Sequence, residues 1–432
     1  MPNCHFCWKH ALAHHDNSPA LTPVSPDARV FDASAHRSLW FSLGVGLLVM
    51  QVGAYLVPAV GTQDALLAIV LGSILGAGLL AWAAKLGCDS GLSSAGLMHR
   101  VFGSAFARLP VLLNIVQLLG WTTFELVIMR EGTQAIVAQA LGWPPSQAGL
   151  VWATLLWGGV LTLLMMGSML TLVRKFVRRF GLPLVVLSLM WLTWQFGSLA
   201  LAKGFAPFWQ RQGTGGMGFW AAIDLVIAMP VSWLPLVADY ARHGVNGRST
   251  LRGTWLGYAL ANTWCYALGV LVVSVSAPDA SLVTALLVAQ GGLLALGLIL
   301  LDELDNAYGD VYSAAVSGNS LLSRVSVRAW GLAIALVCTG LALVLPRHEL
   351  EPFLLKLSSI FVPLYGVILG RLALGGLALS TSERQVDWAV AAIWLLGVVL
   401  FQALNAWAPQ WGASLPVLAA TFALARLTQA KA

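Results

Sequence analysis

Ala228-Met229-Pro230-Val231-Ser232-Trp233-Leu234-Pro235 interrupts the sixth long apolar stretch of this chain with two prolines. Each proline removes a backbone donor and clashes with the turn before it, so a straight helix cannot run through. At membrane depth, irregular backbone survives only where protein buries it or where it lines a cavity. The first apolar stretch is broken in kind, with Gly44, Gly46 and Gly53 around Gln51. The two stretches hold the same place in consecutive sets of five. Interrupted helices at matching positions predict a transporter of inverted repeats with its site at the breaks. For Pro230 and Pro235 taken alone, a kink that serves helix packing is the competing reading.

The remaining sequence fits an all-α polytopic membrane protein. Hydrophobic residues make up 58% of the chain and charged ones 10%, whereas a soluble domain carries about 25% charged residues. The short alternating segments of a membrane barrel are not visible. Apolar runs of about 20 residues predict twelve spans. These lie near 39–60, 65–87, 110–139, 148–172, 181–202, 217–240, 253–275, 288–316, 329–346, 352–376, 387–408 and 414–428. Repeat one then covers about 39–202, repeat two about 217–376, and two extra helices fill 387–428.

Residues 1–38 read as a disordered leader. Cys4 and Cys7 stand there beside His5, His10, His14 and His15, but a second ligand pair at metal spacing is missing, so an ordinary tail is the reading. The net charge of +6 is distributed by topology rather than for nucleic acid. Basic residues follow alternate spans: Lys85, Arg100 and Arg108, then Arg174, Lys175, Arg178 and Arg179, then Arg242, Arg248 and Arg252, then Arg324 and Arg328. The positive-inside rule therefore places both termini in the cytoplasm of a cell (inner) membrane protein. No phosphate loop, GxSxG elbow or His/Glu metal spacing is present, so no enzyme is expected.

Two spans carry chemistry. Residues 293–310, LLALGLILLDELDNAYGD, run from apolar helix into Asp302, Glu303, Asp305 and Asp310. A carboxylate at the bilayer centre costs about 2.5–3.5 kcal/mol on insertion scales, so acids there usually face a water-filled cavity. At helical period Asp302, Asn306 and Asp310 share a face, with Asp305 beside them. A helix that has already left the membrane is the bland alternative, but residues 312–316 resume the apolar pattern. Span three bears Asn114, Gln117, Trp121 and Glu125 as one stripe. An indole flanked by amide and carboxylate suits a flat heteroaromatic ligand, while core packing and interhelical glue are the competing reading. In span six, Asp224 faces either a vestibule or a partner on a neighbouring helix. Asp239 and Arg242 at its end read as a structural or gating salt bridge.

Residues 114–125 (NIVQLLGWTTFE), 224–242 (DLVIAMPVSWLPLVADYAR) and 305–319 (DNAYGDVYSAAVSGN) resemble nucleobase–cation symporter family one. These are permeases of cytosine, purines, allantoin and hydantoin, and the likeness is nearest to the hydroxymethylpyrimidine and cytosine/purine branch. It spans the membrane region from Leu39 onward. The resemblance implies a leucine-transporter-like fold, with spans one to five and six to ten as inverted repeats and two helices added. It implies stacking on Trp121 and substrate contacts at Glu125, where relatives carry Gln, and at Asp310, where they carry Asn. Met229, Pro230, Ser232 and Trp233 correspond to the family's broken span six, and Gln51 falls near the substrate. Family Na⁺ lies between span-one carbonyls and span-eight hydroxyls. The counterparts here are residues 46–49, Gly46 and Val49 among them, and Leu304 with Asp305.

The carboxylates in place of amides favour a ligand with more donors or one that is cationic, such as an aminopyrimidine. Asp305 would hold Na⁺ or carry a proton. The expected function is import of a nucleobase or pyrimidine by symport with Na⁺ or H⁺ as coupling ion and no other cofactor. The expected partners are a small heteroaromatic substrate and the lipid bilayer, and the expected state is a monomer. A carrier of a cationic thiamine-related compound and a membrane sensor that binds without transporting are the alternatives.

Overall fold

Glycine and proline interrupt two of the spans, but only span one is sharply bent there; span six keeps helical backbone at Trp233 and runs on from Phe219 to Ala241. The computed structural model describes residues 20–167, 181–277, 281–345, 350–373 and 385–429. The leader cysteines and the basic group Arg174, Lys175, Arg178 and Arg179 lie outside the described residues. Span one is the pair α1 (Ala33–Ser42) and α2 (Leu47–Ala59), bent by 60°. Then come α3 (Thr62–Ser90), the short α4 (Ser94–Phe102), α5 (Arg108–Leu141), α6 (Gln147–Met165), α7 (Leu182–Ala202) and α8 (Phe205–Trp209). Span six is α9 (Phe219–Ser232) and α10 (Leu234–Ala241), which meet at Trp233. It is followed by α11 (Gly247–Val275), α12 (Leu282–Val288), α13 (Gly292–Leu321), α14 (Val327–Val344), α15 (Leu350–Leu372), α16 (Trp388–Trp407) and α17 (Ser414–Gln429).

Among the described residues, nine helices are long and apolar enough to cross a membrane, and the bent pair makes ten. The acid-bearing α13 and the 16-residue α17 complete the twelve spans expected from sequence. Helix α13 misses that test because of its acids, and α17 because of its length.

The packing exchanges elements between two halves of five spans. The broken span one packs on α11, α3 packs on α9 and α11, α5 on α13, and α6 on α14. The first four spans thus lie against their opposite numbers or a neighbour of these in the second half, whereas α7 packs on α11 and α13. Helix α2 meets α11 through reciprocal glycines. A Cβ at Gly53 would strike the Tyr266 backbone, and one at Gly269 would strike the Met50 backbone. Small residues permit this close approach where lipid supplies no hydrophobic drive between helices. Outward, Trp152, Leu163, Trp194, Leu336, Leu396 and Trp407 are exposed, as lipid-facing positions should be.

One expectation fails at the start of the chain. Residues 20–38 do not behave as a disordered leader: α1 begins at Ala33, and the segment before it is strapped down. Ala20 N donates to Asn319 Oδ1 at 3.0 Å, and Val24 N donates to the Gly91 carbonyl at 2.9 Å. Arg29 Nη1 donates to the Cys88 carbonyl at 2.8 Å, and Phe31 is fully buried beside His243. The polar, proline-containing composition hid a strap whose hydrogen bonds are mostly to main chain, so side-chain pattern carried little sign of it.

Candidate functional site

Residues 43–46 leave the helix between α1 and α2, and Gly46 sits there with extended backbone. The start of α2 therefore presents unpaired N–H groups, an electropositive end that attracts negative charge. Glu303 of α13 supplies that charge. Its Oε1 accepts from Leu47 N through a short hydrogen bond. Gly46 is needed because a Cβ there would lie 2.8 Å from Glu303 Oε1 and 3.4 Å from Asn306 Nδ2. Asn306 fastens the other side of the break, donating from Nδ2 to the Val45 carbonyl at 3.1 Å.

The break in span six exposes carbonyls, and the amide stripe of α5 satisfies them. Gln117 Nε2 donates to the Ser232 carbonyl at 3.2 Å and to Asn114 Oδ1 at 2.9 Å. Asn114 Nδ2 donates to the Pro235 carbonyl at 3.0 Å. Ser232 Oγ turns back to the Met229 carbonyl at 2.7 Å. Polar side chains on a neighbouring helix are the usual remedy for backbone groups freed by proline at membrane depth.

Between the two breaks lies a cavity lined by Leu43, Gly46, Leu48, Val49, Trp121, Glu125, Met229, Ser232, Trp233, Glu303, Asn306 and Asp310. Its volume is about 20 Å³, room for about one water, so entry of a ring requires the breaks to part. Trp121 is held edge-on by Phe353, with ring centroids 5.2 Å apart, and its Nε1 has no hydrogen-bond partner among the described residues. Trp233 is held edge-on by Trp40 at 6.1 Å. Glu125 is 3% exposed with Oε2 unpartnered, and Asp310 is 2% exposed. No hydrogen bond compensates Asp310 among the described residues. The charged groups facing Glu125 are Asp310, Glu303 and Asp305, and no basic side chain lines the cavity.

A second acidic group lies on the adjoining face of α13. Ser42 Oγ, at the end of α1, donates to Asp302 Oδ1 at 2.9 Å and is within hydrogen-bonding reach of Asp305. Asp302 Oδ2, Asp305 Oδ2 and Asn306 Oδ1 are buried without partners among the described residues. Hydroxyl, carboxylate and amide oxygens of this kind suit a hard monovalent cation. No grouping of three His, Cys, Asp or Glu side chains suited to a metal ion occurs among the described residues.

The structure gathers Trp121, Glu125, Asp310, Met229, Ser232 and Trp233 at one cavity and separates the other candidates from it. Gln117 serves the span-six backbone instead. Pro230 packs toward Gly76 of α3. Gln51, past the break, points its Nε2 to Tyr55 Oη at 2.6 Å and does not line the cavity. Gly46 and Val49, expected beside the ion, line this cavity, whereas Asp305 does not.

The expected Asp239–Arg242 salt bridge is absent among the described residues. Asp239 accepts from Ser94 N at 3.0 Å, at the start of α4, and from Ser313 Oγ. Arg242 Nη2 reaches Tyr312 Oη at 3.5 Å. The open question over Asp224 resolves toward a neighbouring helix. It accepts from Ala413 N and Ser414 N, capping α17, while also edging an outer groove with Glu351 and Asn405. Glu303 and Asn306 were not singled out for the site. The available signal was their i, i+3 spacing, which continues to Asp310 at i+7 on one helix face.

The sequence matches, over residues 23–417, the family described as "Permease for cytosine/purines, uracil, thiamine, allantoin". No curated protein matches the sequence. Among solved structures, the fold is similar to Mhp1, a nucleobase-cation-symport-1 family transporter, in a closed conformation with bromovinylhydantoin bound. That pair shares 16% identity and a TM-score of 0.80 over 95% of this chain and 94% of the other. The inward facing conformation of Mhp1 gives 16% identity and a TM-score of 0.75 over 96% and 93%. A Na⁺-coupled sialic acid symporter in its substrate-bound outward-open state gives 12% identity and a TM-score of 0.64 over 96% and 93%. At these identities the likeness is one of fold.

Proposed function

This chain belongs to the family of permeases for cytosine/purines, uracil, thiamine and allantoin, and we propose that it imports a nucleobase or pyrimidine compound by symport with Na⁺ or H⁺. Cytosine, a purine or a hydroxymethylpyrimidine is the substrate type. One observation carries the reading: both helix breaks open onto one cavity that holds two indoles and unpartnered polar atoms. Trp121 stacks the ring and offers Nε1 as a donor. Glu125 and Asp310 accept from ring N–H and amino groups, and the backbone from Met229 to Trp233 forms the opposing wall.

The coupling ion sits beside the substrate at Ser42, Asp302 and Asp305, close to the Val45 carbonyl. Both sites are held between span one and α13, so separation of those elements releases substrate and ion together, as alternating access requires. The cation coupling of the solved transporters of this fold supports the assignment. By the positive-inside rule both termini face the cytoplasm.

Purified protein reconstituted in liposomes tests the reading. Radiolabelled cytosine or hydroxymethylpyrimidine should accumulate above equilibrium under an inward Na⁺ or H⁺ gradient, and an ionophore should abolish the accumulation. Ligand binding with no accumulation under either gradient would identify a sensor and overturn the proposal.

A further inference from the structure

We propose that the substrate is taken as a cation: a flat heteroaromatic ring whose positive charge lies between Glu125 and Asp310. The inference rests on the transport reading above and specifies its ligand. Both carboxylates line the cavity, and both are more than nine-tenths buried. Glu125 Oε2 has no partner among the described residues, and the charges bearing on it are other acids. Glu303, a third acid at the cavity, is already turned to the N-terminus of α2. No Lys, Arg or His is among the lining residues.

Two buried carboxyls facing one space must be neutralised, by protons or by a positive charge brought by the ligand, because an uncompensated ion in low dielectric is costly. Na⁺ at this point is disfavoured by the second group. Asp302 and Asp305 gather around Ser42 outside the cavity, with oxygens of their own to offer an ion. The walls favour a ring. Trp121 and Trp233 supply indole surface, and indole faces attract delocalised cations over neutral rings of the same shape. Glu303 on the α2 N-terminus also fills the position where an anionic ligand would otherwise dock. The cavity thus selects for positive charge and against negative.

A matched pair of probes tests this: 4-aminopyrimidine and its permanently charged N1-methyl derivative, with thiamine as a larger cation and cytosine and uracil as neutral references. Affinities are measured by calorimetry on the purified full chain, in NaCl and in KCl. The N-methyl cation should bind at least tenfold tighter than its neutral parent. Glu125→Gln and Asp310→Asn should each reduce that ratio at least tenfold.

Equal or tighter binding of the neutral parent to the unmodified protein would overturn the proposal, and that comparison needs no variant to fold. Persistence of the cation preference in both variants would overturn it as well. Neutral rings that bind only with Na⁺, with cations excluded, would place the ion between these acids and refute it while leaving nucleobase transport standing. If none of the five compounds binds, the proposal is overturned, while the transport reading stands or falls with the liposome assay.

Discussion

The contact between Glu303 and the start of α2 predicts a specific non-additivity. Gly46→Ala places a methyl group 2.8 Å from Glu303 Oε1, so the carboxylate must withdraw from Leu47 N. A hydrogen bond to a charged group contributes about 1.5–3 kcal/mol, and a partly buried charge at a helix terminus contributes up to about 2 kcal/mol. These overlap, so we expect a loss of about 2 kcal/mol for Gly46→Ala and a similar loss for Glu303→Ala. In the Glu303→Ala background the added methyl meets no carboxylate, and Gly46→Ala should cost little more. The coupling energy of the pair should therefore fall within about 0.5–3 kcal/mol, the range for residues in contact. Thermal unfolding of the four proteins in one detergent, followed by tryptophan fluorescence, measures the cycle. Uptake should fall in both single variants, because the same contact sets the shape of the break. Strictly additive losses would refute the view that Glu303 holds the span-one break through this hydrogen bond.

Three further outcomes follow from separate parts of the molecule. Trp121→Ala should abolish uptake with normal membrane expression, since its ring lines the cavity, and normal transport in that variant would remove it from the site. Asp224→Ala should uncap α17 at Ala413 and Ser414, costing about 0.5–2 kcal/mol as a lost N-cap does, with the substrate preference unchanged in competition assays. His99, on α4 outside the spans, is held below its ordinary value of 6.5 by burial and then by the Arg108 charge. The folded protein keeps it neutral while the unfolded chain takes up a proton, so its contribution is intact above pH 6.5 and is lost as pH falls below that value. His99→Gln should flatten the acidic limb of a stability–pH curve, and an unchanged limb would count against this assignment.

How much of this was legible depended on which kind of signal each part used. The breaks were readable because proline and glycine act through their own covalent structure, and Pro230 and Gly46 stand at or beside the points where helices end. The partnership of Trp121 with Glu125 was readable because i, i+4 spacing puts them on one face. Gln117 lies on the same face, yet it serves a carbonyl of span six rather than the cavity. Periodicity tells which residues share a face; it does not tell what that face meets. The same limit applies to α13. Asp302, Asn306 and Asp310 share a face by period, but the helix is rotated so that Glu303, Asn306 and Asp310 line the cavity and Asp302 turns to Ser42. That rotation follows from packing against other helices, α5 above all, long-range contacts to which sequence spacing is blind. The Asp239–Arg242 pair shows a related failure. Separation by three residues permitted a salt bridge, but the N-terminus of α4 and Ser313 were better placed for the carboxylate.

The two acidic faces of α13 make the coupling ion separable from the substrate by experiment. An ion that binds only the folded protein raises its stability, by about 2.7 kcal/mol at a concentration one hundred times its Kd. If Na⁺ is the ion, NaCl should raise the unfolding temperature relative to KCl at equal ionic strength. Asp302→Asn and Asp305→Asn should each erase that rise, because each removes a charge beside Ser42. Glu125→Gln should leave it intact, since Glu125 faces the cavity and not Ser42. Thiamine should show the opposite dependence, its stabilisation of the protein falling in Glu125→Gln. Erasure of the Na⁺ effect by Glu125→Gln alone would mean that one site serves both ligands. If instead the sites are separate, coupling has a structural basis: span one contributes Ser42 to the ion and Gly46 to the cavity, only four residues apart across the bend. Neither site can then open without displacing the end of the helix that builds the other.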